Sequence, residues 1–199
     1  MLSNIQRSVF FKEFFRKSIH FVSLLIVIIY YYSGKELTLD LLTLVLCCFL
    51  VIEYFRVEKE IKIPIFWKLY RSKEKNKLSG NIQFLIGSII VISVFPKEIA
   101  SAAILMTTFG DSAAALIGIS YGRNWIKGLP DRAWEGVISE FLVNLCIGYL
   151  FLSNWIIALT MALAATIVET LTYKLDDNLM IPLFSGLAGY LVLIAYSLF

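Results

Sequence analysis

The sequence is short of charge, of cysteine and of histidine. Of its 199 residues only 17% are charged, whereas an average soluble domain carries about 25%. The 3 cysteines show no CxxC spacing, and Cys47, Cys48 and Cys146 all lie inside apolar runs, so we interpret them as buried structural thiols. The one histidine, His20, excludes a metal site built from several imidazoles. These shortages exclude a soluble globular protein and a disulfide-stapled domain.

The sequence also lacks the common motifs for phosphate and zinc binding. It contains neither a GxxxxGK[ST] loop nor a GxGxxG turn, so neither a P-loop nor a Rossmann turn supplies phosphate binding, and HExxH is missing too. The net charge of +3 does not indicate a nucleic-acid-binding protein, because no basic domain with interleaved aromatic residues accompanies it.

Long apolar runs dominate the chain instead. Hydrophobic residues make up 59% of it, and the mean hydropathy is +0.78. The runs are about 15 to 22 residues long, enough for a helix to cross a ~30 Å hydrocarbon core, and they do not alternate as barrel strands do. The first run follows a basic stretch but has no cleavage site, so we interpret it as an uncleaved span. The sequence therefore predicts a single all-α membrane domain over 1–199, a bundle of about seven transmembrane helices at 18–34, 38–55, 81–95, 99–119, 136–153, 155–173 and 180–198.

The distribution of basic residues predicts the orientation of this bundle. Sixteen of the 18 Lys and Arg residues lie in the N-terminal segment and in the loops 56–80, 121–135 and 174–179, which leaves only Lys35 and Lys97 on the opposite side. Because cytoplasmic loops carry the excess of basic residues, we expect a cytoplasmic N-terminus and an external C-terminus. The chain is then a multi-pass protein of the cell membrane, with its polar loops facing the cytoplasm.

We single out four of the carboxylates that lie within the predicted spans, where an unpaired charge costs several kcal/mol. These are Glu53, Asp111, Glu140 and Glu169, and Asp176 and Asp177 follow in the next loop. Glu53 lies at i, i+3 spacing from Arg56, which is typical of a helix ion pair. Asp111 has no cation near it in the sequence, which favours a functional role. Under the predicted orientation the acids cluster toward the cytoplasmic face.

Small residues recur at every fourth position from Gly110, at Ala114, Gly118 and Gly122, and leave one helix face almost bare. This face indicates either close packing of a neighbouring helix, since Gly118 to Gly122 is a literal GxxxG, or a surface for a phosphate or lipid headgroup beside a metal held by Asp111. Mg²⁺ takes a few carboxylates together with waters and phosphates, so it suits separated single acids. A homodimer interface is a third use of the same stripe.

The N-terminal RKSIH segment groups Arg16, Lys17 and His20. Arg16 and His20 share a helix face at i, i+4, which suits an anionic headgroup or a phosphate at the membrane interface. Positive-inside anchoring also accounts for Arg16 and Lys17, but it leaves His20 unexplained.

Four segments, in order, resemble a family of membrane lipid kinases, the polyprenol kinase family, which includes dolichol kinase, phytol kinase and the CTP-dependent diacylglycerol kinases. The segments are RKSIH (16–20), EYFR with RSKEKNKLSG (53–80), GDSAAALIGISYGR with the following DRAWEG (110–136), and VETLTYKLDDNLMIPL (168–183). They cover nearly the whole chain. The pattern GDxxAAxxGxxxG followed at this separation by VET and DDNLxxP is specific.

The resemblance implies transfer of the γ-phosphate of a nucleoside triphosphate, typically CTP, to the hydroxyl of a membrane lipid alcohol, with Mg²⁺. It implies catalytic roles for Asp111, Glu169 and Asp177, a metal site formed by Asp111, Asp176 and Asp177, and a place for Asn178 near the nucleotide. In this interpretation Asp111 either binds the metal or orients the acceptor hydroxyl.

The resemblance also implies a nucleotide-binding set around the third segment. Its members are Gly110, Gly118, Gly122, Arg123, Lys127, Arg132 and Glu135, while Arg16, Lys17 and His20 would meet the headgroup of the lipid substrate. Arg132 and Ala133 depart from the family pattern, which has Lys followed by Ser or Thr. Arg forks differently from Lys and Ala lacks a hydroxyl, so the donor is left open between CTP and UTP.

The sequence also favours one class of acceptor and leaves two alternative functions open. The short chain and its DDNLMIPL segment look like the phytol kinase branch, which favours geranylgeraniol or phytol over dolichol or diacylglycerol. A CTP-dependent CDP-lipid cytidylyltransferase is the nearest alternative, because it also uses CTP, metal and acids at cytoplasmic helix ends. A small proton- or cation-coupled transporter is less favoured, because it predicts acids spread through the depth of the bilayer and a repeated half.

Overall fold

The computed structural model describes residues 22–59, 78–172 and 175–198, and this part of the chain is helical apart from one short hairpin. The all-α class is therefore confirmed. The elements are α1 (Val22–Val57), α2 (Gly80–Val94), α3 (Lys97–Leu105), a π-helical turn (Met106–Gly110), α4 (Asp111–Tyr121), β1 (Trp125–Ile126), β2 (Leu129–Ala133), α5 (Trp134–Leu152), α6 (Trp155–Leu171) and α7 (Asp177–Ser197).

A break at Gly34 divides α1 into the first two predicted segments. Gly34 has φ +83° and ψ 179°, a conformation that helical residues do not adopt and that glycine reaches without a steric cost. The Thr38 hydroxyl donates a hydrogen bond to the Gly34 carbonyl oxygen at 2.6 Å and so restarts the helix. The sequence placed this break at 35–37, within a residue of its position.

Lys35 and Lys97, the two lysines outside the basic loops, bind the ends of neighbouring helices. Lys35 Nζ donates to the Ser93 carbonyl oxygen at 2.7 Å, in the last turn of α2. Lys97 Nζ donates to the Tyr31 carbonyl oxygen at 3.2 Å, in the last turn before the Gly34 break, and lies 4.3 Å from the centroid of the Tyr31 ring. Cations at helix C-termini satisfy unpaired carbonyl groups and oppose the negative end of the helix dipole.

We expect Lys97→Met to lower the free energy of unfolding by about 1–2 kcal/mol, because it keeps the apolar stem but removes the charge from the helix end and from the aromatic face. Lys127→Met, on the exposed hairpin turn, should change it by less than about 0.5 kcal/mol. Thermal unfolding of both variants in the same detergent compares them. Equal stability of the two would contradict the helix-capping role of Lys97.

The core forms around α3, a helix of small and branched residues that is buried from Ile99 to Leu105. It packs against α1, α2, α5 and α7, while α4, α5, α6 and α7 pack in sequence order and α2 closes against α7. No residue of α4 after Ala114 is buried, so this helix leaves the core as it continues beyond Asp111.

The outer faces of the bundle are apolar, as lipid contact requires. Leu150 is 76% exposed and Leu44 is 63% exposed, for example. Four segments in the described part are long and apolar enough to span a membrane, namely Ser23–Val57, Lys97–Tyr121, Trp134–Leu152 and Asp177–Ser197, and Gly80–Val94 and Trp155–Leu171 are shorter apolar helices. These segments make the chain a membrane protein, whereas the count of seven spans and the orientation stay predictions.

One expectation about local structure is wrong, and one predicted loop contains a hairpin that the sequence does not indicate. Cys47, Cys48 and Cys146 are exposed rather than buried, because the apolar runs that contain them turn part of their surface outward. The loop 121–135 contains an antiparallel hairpin in which Trp125 pairs with Ala133. Its strands are too short to show alternation in the sequence, and Gly128, at φ +83°, occupies its turn.

Candidate active site

Three carboxylates from three different helices converge where α6 ends and α7 begins. Asp111 is the first residue of α4, Glu169 lies two residues before the end of α6, and Asp177 is the first residue of α7. One carboxylate oxygen from each lies within 4.8 Å of the others, and Asp111 and Glu169 are buried. Three oxygen donors at this separation fit the ligand preference of a hard divalent cation such as Mg²⁺.

The π-helical turn Met106–Gly110 sets the position of Asp111. Such turns shift the register of a helix and often occur at functional sites. The turn brings Gly110 against the side chain of Asn144, so closely that a Cβ atom on Gly110 would overlap Asn144 Oδ1. The Ser112 hydroxyl donates to the Thr108 carbonyl oxygen at 2.6 Å, which satisfies an acceptor at the altered turn.

The two neighbouring carboxylates at the start of α7 share the hydrogen-bond donors of Asn178 and differ in their position relative to the cluster. Asp176 is the N-cap of α7 and accepts hydrogen bonds from the backbone N–H of Asn178 at 3.1 Å and from its Nδ2 at 2.8 Å. Asp177 lies beside Asp111 and Glu169. The structure thus groups Glu169, rather than Asp176, with the other two acids of the expected metal set.

Arg132 is the basic member of this cluster. Its two terminal nitrogens form an ion pair with both carboxylate oxygens of Glu169, and Nη2 also donates to the Glu169 carbonyl oxygen at 3.0 Å. Burial lowers the pKa of Arg132, but the attraction of Glu169, Asp111 and Asp177 outweighs it, so the pKa is raised overall and the guanidinium stays charged. Three carboxylates and one guanidinium leave two negative charges, which one divalent cation would neutralise.

A second polar group lies buried beside the cluster, and the sequence did not assign it to the site. Glu140 and Asn144, one turn apart on α5, are 1% and 0% exposed. Asn144 Nδ2 donates to Glu140 Oε1 and to the Thr166 hydroxyl oxygen, each at 3.4 Å, while Asn144 Oδ1 has no hydrogen-bond partner in the described part of the chain. Glu140 lies within electrostatic reach of Asp111 and Glu169. The available signal was the i, i+4 spacing of two polar residues in an apolar helix.

The remaining expected phosphate contacts lie on the loop and hairpin before α5. Arg123 and Lys127 are exposed. Glu135, in the first turn of α5, accepts hydrogen bonds from Asn124, one from the backbone N–H at 3.2 Å and one from Nδ2 at 2.8 Å. Glu135 therefore holds the start of the loop to the helix that follows it.

The glycine stripe packs two helices of the same chain together. A Cβ atom on Gly136 of α5 would lie 2.7 Å from the Ala114 carbonyl oxygen and 3.4 Å from Gly118 Cα. A Cβ atom on Gly122 would lie 2.9 Å from the Cβ of Ala133. Packing of α5 against α4 accounts for Gly136, and packing of the end of α4 against Ala133 of β2 accounts for Gly122. The roles of Gly110, Gly118 and Gly122 in phosphate binding and dimerisation stay predictions.

Glu53 and Arg56 form the ion pair that their spacing predicts. Arg56 Nη2 lies 2.5 Å from Glu53 Oε1, and Nε lies 2.9 Å from Oε2. Glu53 Oε1 also accepts a hydrogen bond from the backbone N–H of Ser79 at 2.7 Å, which joins the end of α1 to the start of α2. Arg16, Lys17, His20 and the loop residues 60–77 lie outside the described residues.

The fold and the cluster define a class: a helical membrane protein with an acidic, arginine-balanced site at the ends of its helices. Its donor set fits a divalent cation, and the basic residues of the adjoining loop suit phosphate groups. No family model matches the chain, and no solved structure matches it.

The chain is similar to curated lipid kinases at modest identity. It is 26% identical over 155 residues to CTP-dependent diacylglycerol kinase 1 of Schizosaccharomyces pombe, which covers 65% of this chain and 71% of that protein. It is 31% identical over 144 residues to the probable phytol kinase 1 of Oryza sativa, covering 63% and 45%, and 31% identical over 100 residues to the phytol kinase of Synechocystis, covering 46% and 43%. The chain thus spans less than half the length of these phytol kinases. The resemblance to the lipid kinase family is confirmed.

Proposed function

We propose that the protein is a membrane lipid kinase that transfers the γ-phosphate of CTP to the hydroxyl of a lipid alcohol. The observation that carries this proposal is the convergence of Asp111, Glu169 and Asp177 beside Arg132, within the segments that resemble the kinase family. Phosphoryl transfer depends mainly on positioning and on neutralising phosphate charge, and this cluster supplies groups for both.

Asp111, Glu169 and Asp177 would hold the divalent cation, which when bound neutralises charge on the phosphates. Asp177 is partly exposed, so the cluster is open on one side, and a nucleotide would arrive from there. Arg123 and Lys127, exposed on the adjoining loop and hairpin, would bind phosphate oxygens there. Asn178 would keep Asp177 in place, because its backbone N–H donates to Asp177 Oδ1 at 2.9 Å.

We further propose that the acceptor is an isoprenoid alcohol such as geranylgeraniol or phytol, with its tail between helices and its hydroxyl at the depth of the cluster. Similarity to phytol kinases supports this choice, and similarity to a diacylglycerol kinase makes diacylglycerol the necessary comparison. Arg16, Lys17 and His20 would contact the headgroup region. The 16 basic residues of the N-terminal segment and the polar loops support a cytoplasmic site.

The test is transfer of labelled γ-phosphate by the purified chain in detergent. We expect transfer from CTP to geranylgeraniol or phytol at a rate at least about tenfold above that with diacylglycerol or dolichol, with loss of activity in EDTA and recovery on adding Mg²⁺. UTP, ATP and GTP are compared as donors, because Arg132 and Ala133 depart from the family pattern.

The products separate this function from its nearest rival. A kinase acts on the lipid alcohol, releases CDP and leaves one phosphate on the lipid. A cytidylyltransferase acts on a lipid phosphate, releases pyrophosphate and joins CMP to that phosphate, so a lipid phosphate is assayed beside the alcohols. Pyrophosphate release with a labelled cytidine in the lipid product would replace the kinase by the cytidylyltransferase.

A further inference from the structure

Arg132 and the acidic group share one carboxylate. Glu169 is fully buried and is bound by Arg132 through both of its side-chain oxygens, yet one of its oxygens also lies within 4.8 Å of oxygens of Asp111 and Asp177. The Arg132 side chain is 26% exposed, so it reaches the buried carboxylate from the open side of the cluster.

A guanidinium and a divalent cation compete for such a carboxylate. Both are positive, both prefer the same oxygen atoms, and their mutual repulsion is large in a partly desolvated site. A single buried carboxylate therefore cannot keep its two-point contact with Arg132 and bind a divalent cation with full strength.

We propose that Arg132 is a positioning residue that changes partners during binding: it holds Glu169 in place until that carboxylate turns to a divalent cation, and the released guanidinium then binds the nucleotide phosphates. The proposal rests on the proposed function, since it concerns the same cation and nucleotide. The planar fork of Arg132 matches a carboxylate and a phosphate equally well, whereas a lysine would give each of them only a point contact.

The exchange predicts opposite effects on the two ligands when Arg132 is neutralised. Without the guanidinium, Glu169 has no competing cation, so the acidic group gains affinity for a divalent metal. The nucleotide loses a charged contact, so its affinity falls. A purely structural role for Arg132 predicts that both affinities fall together, because loss of the ion pair would disorder Glu169.

The first experiment measures Mn²⁺ binding to the full chain in nanodiscs by the electron paramagnetic resonance of the free ion, without nucleotide. We expect Arg132→Gln to bind Mn²⁺ about tenfold more tightly than the wild-type chain, and Arg132→Lys, which keeps the charge, to stay within about threefold of it. CTP binding in saturating Mn²⁺ should weaken about tenfold in Arg132→Gln. Weaker or unchanged Mn²⁺ binding by Arg132→Gln would overturn the proposal.

A second variant covers the case in which Arg132→Gln does not fold, which its thermal unfolding would show. Glu169→Gln removes the charge that retains Arg132, so CTP binding measured in EDTA should strengthen severalfold over the wild-type chain, while Mn²⁺ binding weakens. If CTP binding in EDTA does not strengthen, Arg132 is not released to phosphate and the exchange is wrong.

Failure of the function and failure of the exchange give different results. If the Mn²⁺ and CTP affinities change as predicted but no lipid alcohol is phosphorylated, the proposed kinase function is wrong and the exchange of partners by Arg132 is supported. If the wild-type chain is an active kinase but Arg132→Gln binds Mn²⁺ more weakly or equally well, the exchange of partners is wrong and the kinase function is supported.

Discussion

Asp111→Asn should lower phosphate transfer by at least about 1000-fold while the protein stays folded. The substitution keeps the size of the side chain but removes one of three clustered negative charges, so the site would lose one of the proposed ligands of the cation. Removing one of several like charges also reduces their repulsion, so we expect the thermal stability in EDTA to be equal to or higher than that of the wild-type chain. Labelled-phosphate transfer and thermal unfolding of the same preparation measure both effects.

Asp40→Asn is the matched control, because Asp40 is an exposed residue of α1 that takes no part in the cluster. It should retain wild-type transfer. Full activity of Asp111→Asn would show that the Asp111 carboxylate has no catalytic or metal-binding role. An unfolded variant would show that the carboxylate is needed for the fold.

Gly136→Ala should destabilise the bundle by about 2 kcal/mol. The new Cβ atom would lie 2.7 Å from the Ala114 carbonyl oxygen, a backbone atom that moves only if α4 and α5 separate. Overpacking of this kind costs up to about 3 kcal/mol, and the better helix propensity of Ala returns about 1 kcal/mol. Because α4 begins at Asp111, its displacement should reduce transfer as well. Unfolding in detergent and the transfer assay check both expectations.

Gly118→Ala is the control within the same glycine stripe. A Cβ atom on Gly118 would come no closer than 4.0 Å to its neighbour Gly136, so we expect unchanged or slightly higher stability. This variant also tests the second interpretation of the stripe. Normal stability with a loss of CTP binding would place a phosphate against Gly118, and normal stability with normal binding would leave helix packing as its role.

The positions of the helices could be predicted from the sequence because their outer faces are apolar. A chain that spans a membrane must present long apolar runs, so 136–153 and 155–173 match α5 (Trp134–Leu152) and α6 (Trp155–Leu171) to within two residues at each end. Glu53 and Arg56 were paired correctly because their contact is local, at i, i+3.

The residues that form the candidate site were harder to predict from the sequence, because its contacts join distant parts of the chain. Arg132 and Glu169 are 37 residues apart, and no spacing rule selects Arg132 over Arg123 as the partner. The π-helical turn before Asp111 has no sequence signal that we recognise. The glycine stripe was ambiguous for a physical reason: a bare helix face admits a helix or a phosphate. The position of Gly136 shows that part of the stripe packs against α5.

The hydrogen bonds at the two ends of α2 restrict the route of a lipid into the bundle. Lys35 binds the Ser93 carbonyl oxygen at one end, and Glu53 accepts the Ser79 N–H at the other, so the second half of α1 and the whole of α2 are joined at both ends. We expect two antiparallel helices joined in this way to move together and the seam between them to resist opening. A lipid tail that enters sideways from the bilayer would have to pass between a different pair of helices.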